Sequence, residues 1–479
     1  MGLFTVSRIV VLGSTLLAVA AGLRPLTLMP GVLAGVAVIL LATAALAWRN
    51  PGLAAPVVLL FAYTNYGVGR LLVGAELAAM PFWLAAFIGL AVGGGSWTRW
   101  EAAGGWRAPL AWWATGVAIT WPFFAARDLG YSLAPSIAAG PIVAAAATQM
   151  SLALWMDHLM AGPSESARDA SPPTSGTGWA WALAASAALT ASAAIYQRLV
   201  DPTWLSGEPW TSLHRSVGLM GDANPTGVAT ALWAPLAWVL LAGGIVGTLA
   251  GGAAAALMWV GAWMSGARTT IILVAAGVCG LTLVAAGARG VSRRIVVGAA
   301  LAAGLGVGIL AVFAVPRVTP QSPVGRLVAA IPTASTGAAA YELLWRRDGY
   351  GLAAVEAIRE HPVVGVGVGR FTALSTGYYQ RLTGRVIPPD NAQNLWRHTF
   401  AEQGLLGLLP LLWLTALTIR TLVSRAATGM GLMARVMLAG IGVALVFGYP
   451  VQDAAIAATV ATLTAAVERD RRSFLAPRA

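Results

Sequence analysis

Few side chains of this sequence can hold or move charge, and most of those that can lie in separated motifs. "HRSVGLMGDANPTG" sets Arg215 ahead of a glycine-containing turn and the pair Asn224-Pro225. "WMSGARTTIILVAAG" places Arg268 where an apolar run begins, with no acidic residue beside it in sequence. A third region carries Arg347 and Arg370, then "DNAQNLWRHTFAEQG", which contributes Gln393, Asn394, His398 and Glu402. Arginine offers a planar, permanently charged fork that matches phosphate oxygens. A cation at the edge of a membrane span costs a few kcal/mol, on the order of 3, unless it is paired or hydrated, which makes Arg268 a functional candidate; its plain alternative is snorkelling to the headgroups. Asn224 as cap and Pro225 at the first helical position would start a helix whose free N–H groups form an anion site. Asn394, His398 and Glu402 recur every four residues, so on a helix they share one face.

The elements that position these residues follow from composition. The chain has 479 residues, 58% hydrophobic and only 10% charged, with mean hydropathy +0.74. That is too little charge to cover a soluble globule, and apolar runs of about 18–22 residues recur, the length of a membrane-crossing helix. The runs are continuous and not alternating, which excludes a membrane barrel. The expected fold is an all-α integral membrane protein, a polytopic bundle of about 12–14 transmembrane helices with a long, partly helical external loop. Four regions are expected: transmembrane helices over residues 1–177, further helices carrying Arg215 and Arg268 over 178–315, an external loop over 316–402, and C-terminal helices with a cytoplasmic tail over 403–479. The arginines of the short connections fall on one side if the N-terminus is cytoplasmic. The Ser/Pro/Thr run "SPPTSGTG" then reads as a linker between halves.

Every basic residue is Arg, and the net charge is +12. Nine arginines against six acids in the long loop suggest an anionic partner, either a phosphate-bearing substrate or lipid headgroups. Residues 352–360 fit a short amphipathic helix stopped at His361-Pro362. The Gly365, Gly367 and Gly369 run lacks the strand and helix of a nucleotide loop, and no nucleic-acid partner is expected. Cys279 lies alone in an apolar run, so no disulfide within the chain can form.

Arg215 through Pro225, Ser265 through Arg268, Arg347 ahead of "EAIREHPVVGVGVGRF", and "NAQNLWRHTFAEQGLLG" occur in the order and spacing that resembles the O-antigen ligase and polymerase family, over roughly residues 180–425. These are polytopic bacterial membrane glycosyltransferases. The resemblance implies transfer of a glycan from a polyprenyl diphosphate carrier to an acceptor hydroxyl of a glycan, lipid or protein, at the periplasmic face of the inner membrane. It implies no metal and no cofactor, with Arg215, Arg268 and Arg347 stabilising the leaving diphosphate, and Asn224, Arg370, Asn394 and Glu402 binding substrate. The sequence departs from the family pattern at one position. A histidine nine residues before the Glu is expected as the base, and here that residue is Gln393. An amide orients a hydroxyl but takes no proton near neutral pH. His398 is then the nearest imidazole for a shifted site, with His214 the other candidate. A chain that kept its anion site and lost its base would instead bind or export envelope glycolipid. A secondary transporter would need an internal repeat and broken midplane helices, and neither signal is clear.

Overall fold

The computed structural model describes residues 104–131, 178–242, 244–287, 349–424, 428–449 and 454–475 continuously, and single positions elsewhere, among them Tyr63, Tyr66, Arg70, Gln149 and Asp453. Apart from those single positions, the spans expected before residue 104, a further span expected over 295–315, linker residues 171–177, most of loop residues 316–348 and the candidate Arg347 lie outside the described residues. Among the described residues the structure is helical, with no strand. The helices are α1 (Arg107–Tyr131), α2 (Gly178–Leu199), α3 (Ala223–Leu241), α4 (Gly244–Met264), α5 (Thr269–Gly287), α6 (Tyr350–Glu360), α7 (Phe371–Thr383), α8 (Leu395–Leu422), α9 (Gly429–Phe447) and α10 (Ala454–Leu475).

Helix α3 is hydrophobic on every side, so it has to be central. It packs against α2, α4, α5 and α9, and Trp233 on it is fully buried. Helix α8 packs on α1, and α9 on α5 and α10. Val246–Met264, Leu395–Leu422 and Gly429–Phe447 are long and apolar enough to cross a membrane. Their outward residues fit lipid. On α8, Leu405, Leu409, Leu412, Trp413, Ile419 and Val423 are exposed at helical spacing, a stripe that water would penalise and acyl chains do not.

At the end of the bundle away from the "DNAQN" segment, Arg435 of α9 donates to Asp470 of α10 at 2.6 Å. Glu468 there accepts from Arg471 at 2.7 Å, Arg472 at 3.0 Å and Thr421 of α8 at 3.1 Å. These bonds join the last three helices.

The long loop has a small core of its own. Ala353, Ala354 and Ala357 of α6 meet Phe371 and Tyr378 of α7, with Val366, Ala392 and Ala401 closing the cluster. The helix expected over 352–360 is α6, and His361 is its C-cap, donating its N–H to Ala357 O at 3.0 Å. Two expectations need correction. Helix α3 is capped by Asp222, whose carboxylate accepts from Asn224 N at 2.7 Å, so Asn224 and Pro225 are the second and third helical residues. A carboxylate next to a helix N-terminus also meets the positive end of the dipole, an advantage neutral Asn lacks. And the span expected from residue 403 is the second part of α8, which starts at Leu395 and breaks at Gly404, φ 59° and ψ −153°.

Candidate active site

The first motif is held by a buried amide. Gln197 of α2 accepts through Oε1 from Val217 N and Gly218 N, both at 2.9 Å, and donates through Nε2 to Trp204 O at 3.0 Å and Gly218 O at 3.1 Å. That fixes the turn after Arg215, which is itself only 8% exposed. Arg215 donates from Nε to Ser265 O at 2.8 Å and from Nη2 to Asn224 Oδ1 at 2.7 Å, and its guanidinium stands 4.9 Å from the Trp210 ring centre. The Arg215 and Arg268 motifs are therefore in direct contact through the 265–268 turn. Approach is close because residue 227 lacks a side chain: a Cβ there would lie 2.3 Å from Ser265 Oγ. Arg268 follows in that turn, half-exposed, and among the described residues its guanidinium makes no hydrogen bond or ion pair. It is a cation without an internal counter-charge there, available to an anion from outside. His214 is exposed at φ 50°, and its carbonyl accepts from Arg198 at 2.8 Å.

The third motif is built around the break in α8. The strap between α6 and α7 lies across it: Val366 N donates to Ala401 O at 2.9 Å, Gly367 N to Glu402 O at 2.8 Å, Leu405 N to Pro362 O at 2.9 Å and Leu406 N to Val363 O at 3.2 Å. The carbonyls freed by the break are thus satisfied by the strap. The glycines of "VVGVGVG" serve this clasp: a Cβ at Gly365 would lie 2.2 Å from the Glu402 carbonyl carbon.

Inside the break, Glu402 and His398 are 2% and 4% exposed. Glu402 Oε1 accepts from Phe371 N at 3.2 Å, at the start of α7, and lies 3.3 Å from His398 Nε2. His398 Nδ1 accepts from Ala392 N at 3.3 Å, which leaves the proton on Nε2, facing Glu402. Of the three residues expected on one face, His398 and Glu402 meet one turn apart, while Asn394 is the extended cap of the helix. Both ring nitrogens of His398 are engaged, and Tyr449 covers its ring at 4.1 Å between centres. Asn394 caps α8 by accepting from Arg397 N at 2.9 Å and ties it to α9 by donating to Val446 O at 2.9 Å. Arg370 donates to Val366 O at 2.7 Å and stands 5.7 Å from the Phe124 ring centre, so its first task is holding the strap.

Gln393 has left-handed backbone, φ 54°. Its Nε2 donates to Asp390 Oδ2 at 2.7 Å, and its N–H donates to Asn391 Oδ1 at 2.8 Å. Asp390 links this segment to the arginine motifs by its field. Burial pushes the Asp222 carboxyl above its usual range and the nearby Asp390 charge adds to that, while the Asn224 N–H and Arg215 pull it down. All three motifs therefore meet at one end of the bundle, with Arg347 outside the described residues. A cavity of about 840 Å³ extends from His398 and Glu402 along α8, between apolar side chains such as Trp396, Leu411, Leu414, Leu438 and Val446.

Residues 253–412 match the family model described as O-antigen ligase. The match covers about a third of the chain and agrees with the resemblance drawn from the motifs. The matched segment runs from within α4 through the clasped break of α8, so it holds Arg268, Gln393, His398 and Glu402, while Arg215 lies before it. No curated protein matches the chain. The family match and the apolar helices make this a membrane protein with a role in glycan transfer for envelope polysaccharide.

Sequence reasoning missed several residues that meet the site. Asp222 and Asp390 were passed over as ordinary loop acids. Tyr449 and Asp453 come from the turn between α9 and α10, and nothing in "GYPVQD" advertises contact with His398 or nearness to Asp222. Tyr66 lies against Gly221, where a Cβ would come within 2.5 Å of its ring, and Arg70 stands 5.4 Å from that ring's centre.

Proposed function

We propose that this protein transfers a glycan from a polyprenyl diphosphate carrier to an acceptor hydroxyl on a glycan, lipid or protein, at the periplasmic face of the bacterial inner membrane. The observation that carries the reading is the contact of Arg215 with the 265–268 turn, 2.8 Å from Nε to Ser265 O, beside Arg268. Departure of a diphosphate concentrates negative charge on one oxygen, and preorganised cations in a poorly hydrated site stabilise it most at the transition state. Arg215 is fixed by two hydrogen bonds and a ring, Arg268 is free to follow the phosphate, and Arg347 is the third cation of the set. The apolar cavity along α8 suits the isoprenoid chain, whose head would then lie by the external loop. Asn394, Glu402 and Arg370 hold the loop in the shape that receives the acceptor.

The test is transfer by the purified full-length protein in liposomes, with lipid-linked glycan extracted from the source organism's membranes. Arg215→Ala and Arg268→Ala should each lower transfer about 100-fold or more, the scale of losing one charge-stabilising group. Unchanged transfer in both variants rules the diphosphate site out. The engagement of both His398 nitrogens favours a second reading, a binder or exporter of envelope glycolipid. Carrier binding by wild type without turnover would select it.

A further inference from the structure

We propose that Asp390 is the proton acceptor of this transfer site, with Gln393 as the residue that positions it; the inference rests on the transferase reading. Attack by an acceptor hydroxyl requires its proton to leave, and the amide at residue 393 cannot take it. The imidazole five residues on cannot either: His398 is 4% exposed, its Nδ1 lone pair is taken by Ala392 N–H, and Nε2 faces Glu402. Asp222 is occupied as the cap of α3 and is partly offset by Arg215. Asp453 caps the start of α10, its Oδ1 accepting from Ala455 N at 2.8 Å and Ile456 N at 3.2 Å.

Three observations bear on Asp390. It is half-buried, as Asp222 and Asp453 are, but it lies in the loop that opens the motif and caps no helix. Gln393 points its amide donor at one carboxylate oxygen, 2.7 Å away, and Asn391 fixes the other through its N–H at 2.7 Å and its Nδ2 at 2.9 Å. And Gln393 does this from a left-handed backbone at φ 54°, a conformation that costs a non-glycine residue about 1–3 kcal/mol and persists where surroundings impose it. Gln393 thus supports a base instead of being one.

The step balances as follows. The acceptor oxygen bonds to the anomeric carbon, the bond from that carbon to the diphosphate oxygen breaks, and its electron pair leaves on the diphosphate facing Arg215 and Arg268. The acceptor proton moves to the Asp390 carboxylate, which later returns it to water.

The experiment compares wild type, D390N, Q393H, D390N/Q393H and D453N as full-length proteins in the same liposomes with the same extracted lipid-linked glycan, following rate against pH and binding of undecaprenyl diphosphate. D390N keeps the shape of the carboxylate and should lose about 10²–10⁴-fold in turnover, the worth of a general base, with carrier binding unchanged. D390N/Q393H should regain at least tenfold over D390N, and its rate should rise with a midpoint near the imidazole range of about 6.5, absent from wild type. A D390N protein retaining more than a third of wild-type turnover overturns the assignment, as does loss confined to D453N. Wild type that binds the carrier and never transfers overturns the transferase reading itself, and the proton-acceptor role with it.

Discussion

Replacing Gly404 by alanine should loosen the external loop without touching any side chain that meets substrate. Gly404 has φ 59° and ψ −153°, a region open in practice only to glycine, so alanine there costs about 1–3 kcal/mol in backbone strain. Its new Cβ would lie 2.3 Å from both C and O of Val363, atoms of the strap backbone that cannot rotate away. Forcing the strap off costs about another 1–3 kcal/mol by the measure of overpacked cores. The two add to about 2–6 kcal/mol, and at tenfold per ~1.4 kcal/mol this is a rise of about 30-fold to 10⁴-fold in local opening. The assay is amide hydrogen exchange of the protein in detergent, read at Val366, Gly367, Leu405 and Leu406, the four donors that join strap and helix. Gly384→Ala is the control: φ is 69° there too, but a Cβ meets nothing within 4 Å, so only a backbone cost of about 1 kcal/mol is expected. Exchange at those four amides within threefold of wild type in G404A would refute the claim that the strap holds the break.

Further outcomes follow from contacts elsewhere. Gln197→Ala strands the buried N–H groups of Val217 and Gly218 and should cost about 2–6 kcal/mol, at about 1–3 per orphaned donor, seen as a lower melting midpoint in detergent. Removing one partner of the buried pair with Arg435→Ala should cost about 3–5 kcal/mol in the same measurement, since Asp470 is left charged and enclosed. Asp222→Asn keeps a capping side chain and removes a carboxyl whose pKa is raised by burial and by Asp390. A raised acid binds its proton more tightly folded than unfolded, so wild-type stability falls as pH rises from the usual carboxylate range through the raised value. The variant's melting midpoint should therefore gain on wild type as pH rises above the usual carboxylate range, and a gap independent of pH would contradict the assigned cause.

The elements were legible where local sequence alone decides them. Thr269–Gly287 is an apolar run between Arg268 and Arg289, and the helix has those bounds. Helix α3 begins earlier than its Asn-Pro signal suggests because the side chain of Asn224 serves Arg215 instead, at 2.7 Å, and Asp222 takes over the cap. The break in α8 could not be read at all. "AEQGLLGLLP" reads as the start of an ordinary span, and Gly404 becomes a break only because Val363 and Val364 of a segment some forty residues earlier fill the space beside it. Periodicity reports what a helix does with its own neighbours, and it is silent on a distant strand of chain that supplies the missing hydrogen bonds.

The same distinction governs the site. Spacing put Asn394, His398 and Glu402 on one face, and His398 and Glu402 do meet, while Asn394 caps the helix and turns to Val446 of α9. Glu402 faces His398 at 3.3 Å and binds the first N–H of α7 at 3.2 Å, so one buried carboxylate couples the imidazole to the helix that frames the loop. Such a network is costly to leave half-satisfied, which ties His398 to the architecture. The proposed proton acceptor lies outside that face, and fields join Asp390 to Asp222 and Asp222 to Arg215. A carboxylate near a diphosphate site is ordinarily a hindrance, because like charges repel. In the proposed step Asp390 serves the acceptor and the arginines serve the donor. A displacement at the anomeric carbon puts the attacking oxygen and the leaving diphosphate on opposite sides of that carbon, which keeps the two charges apart.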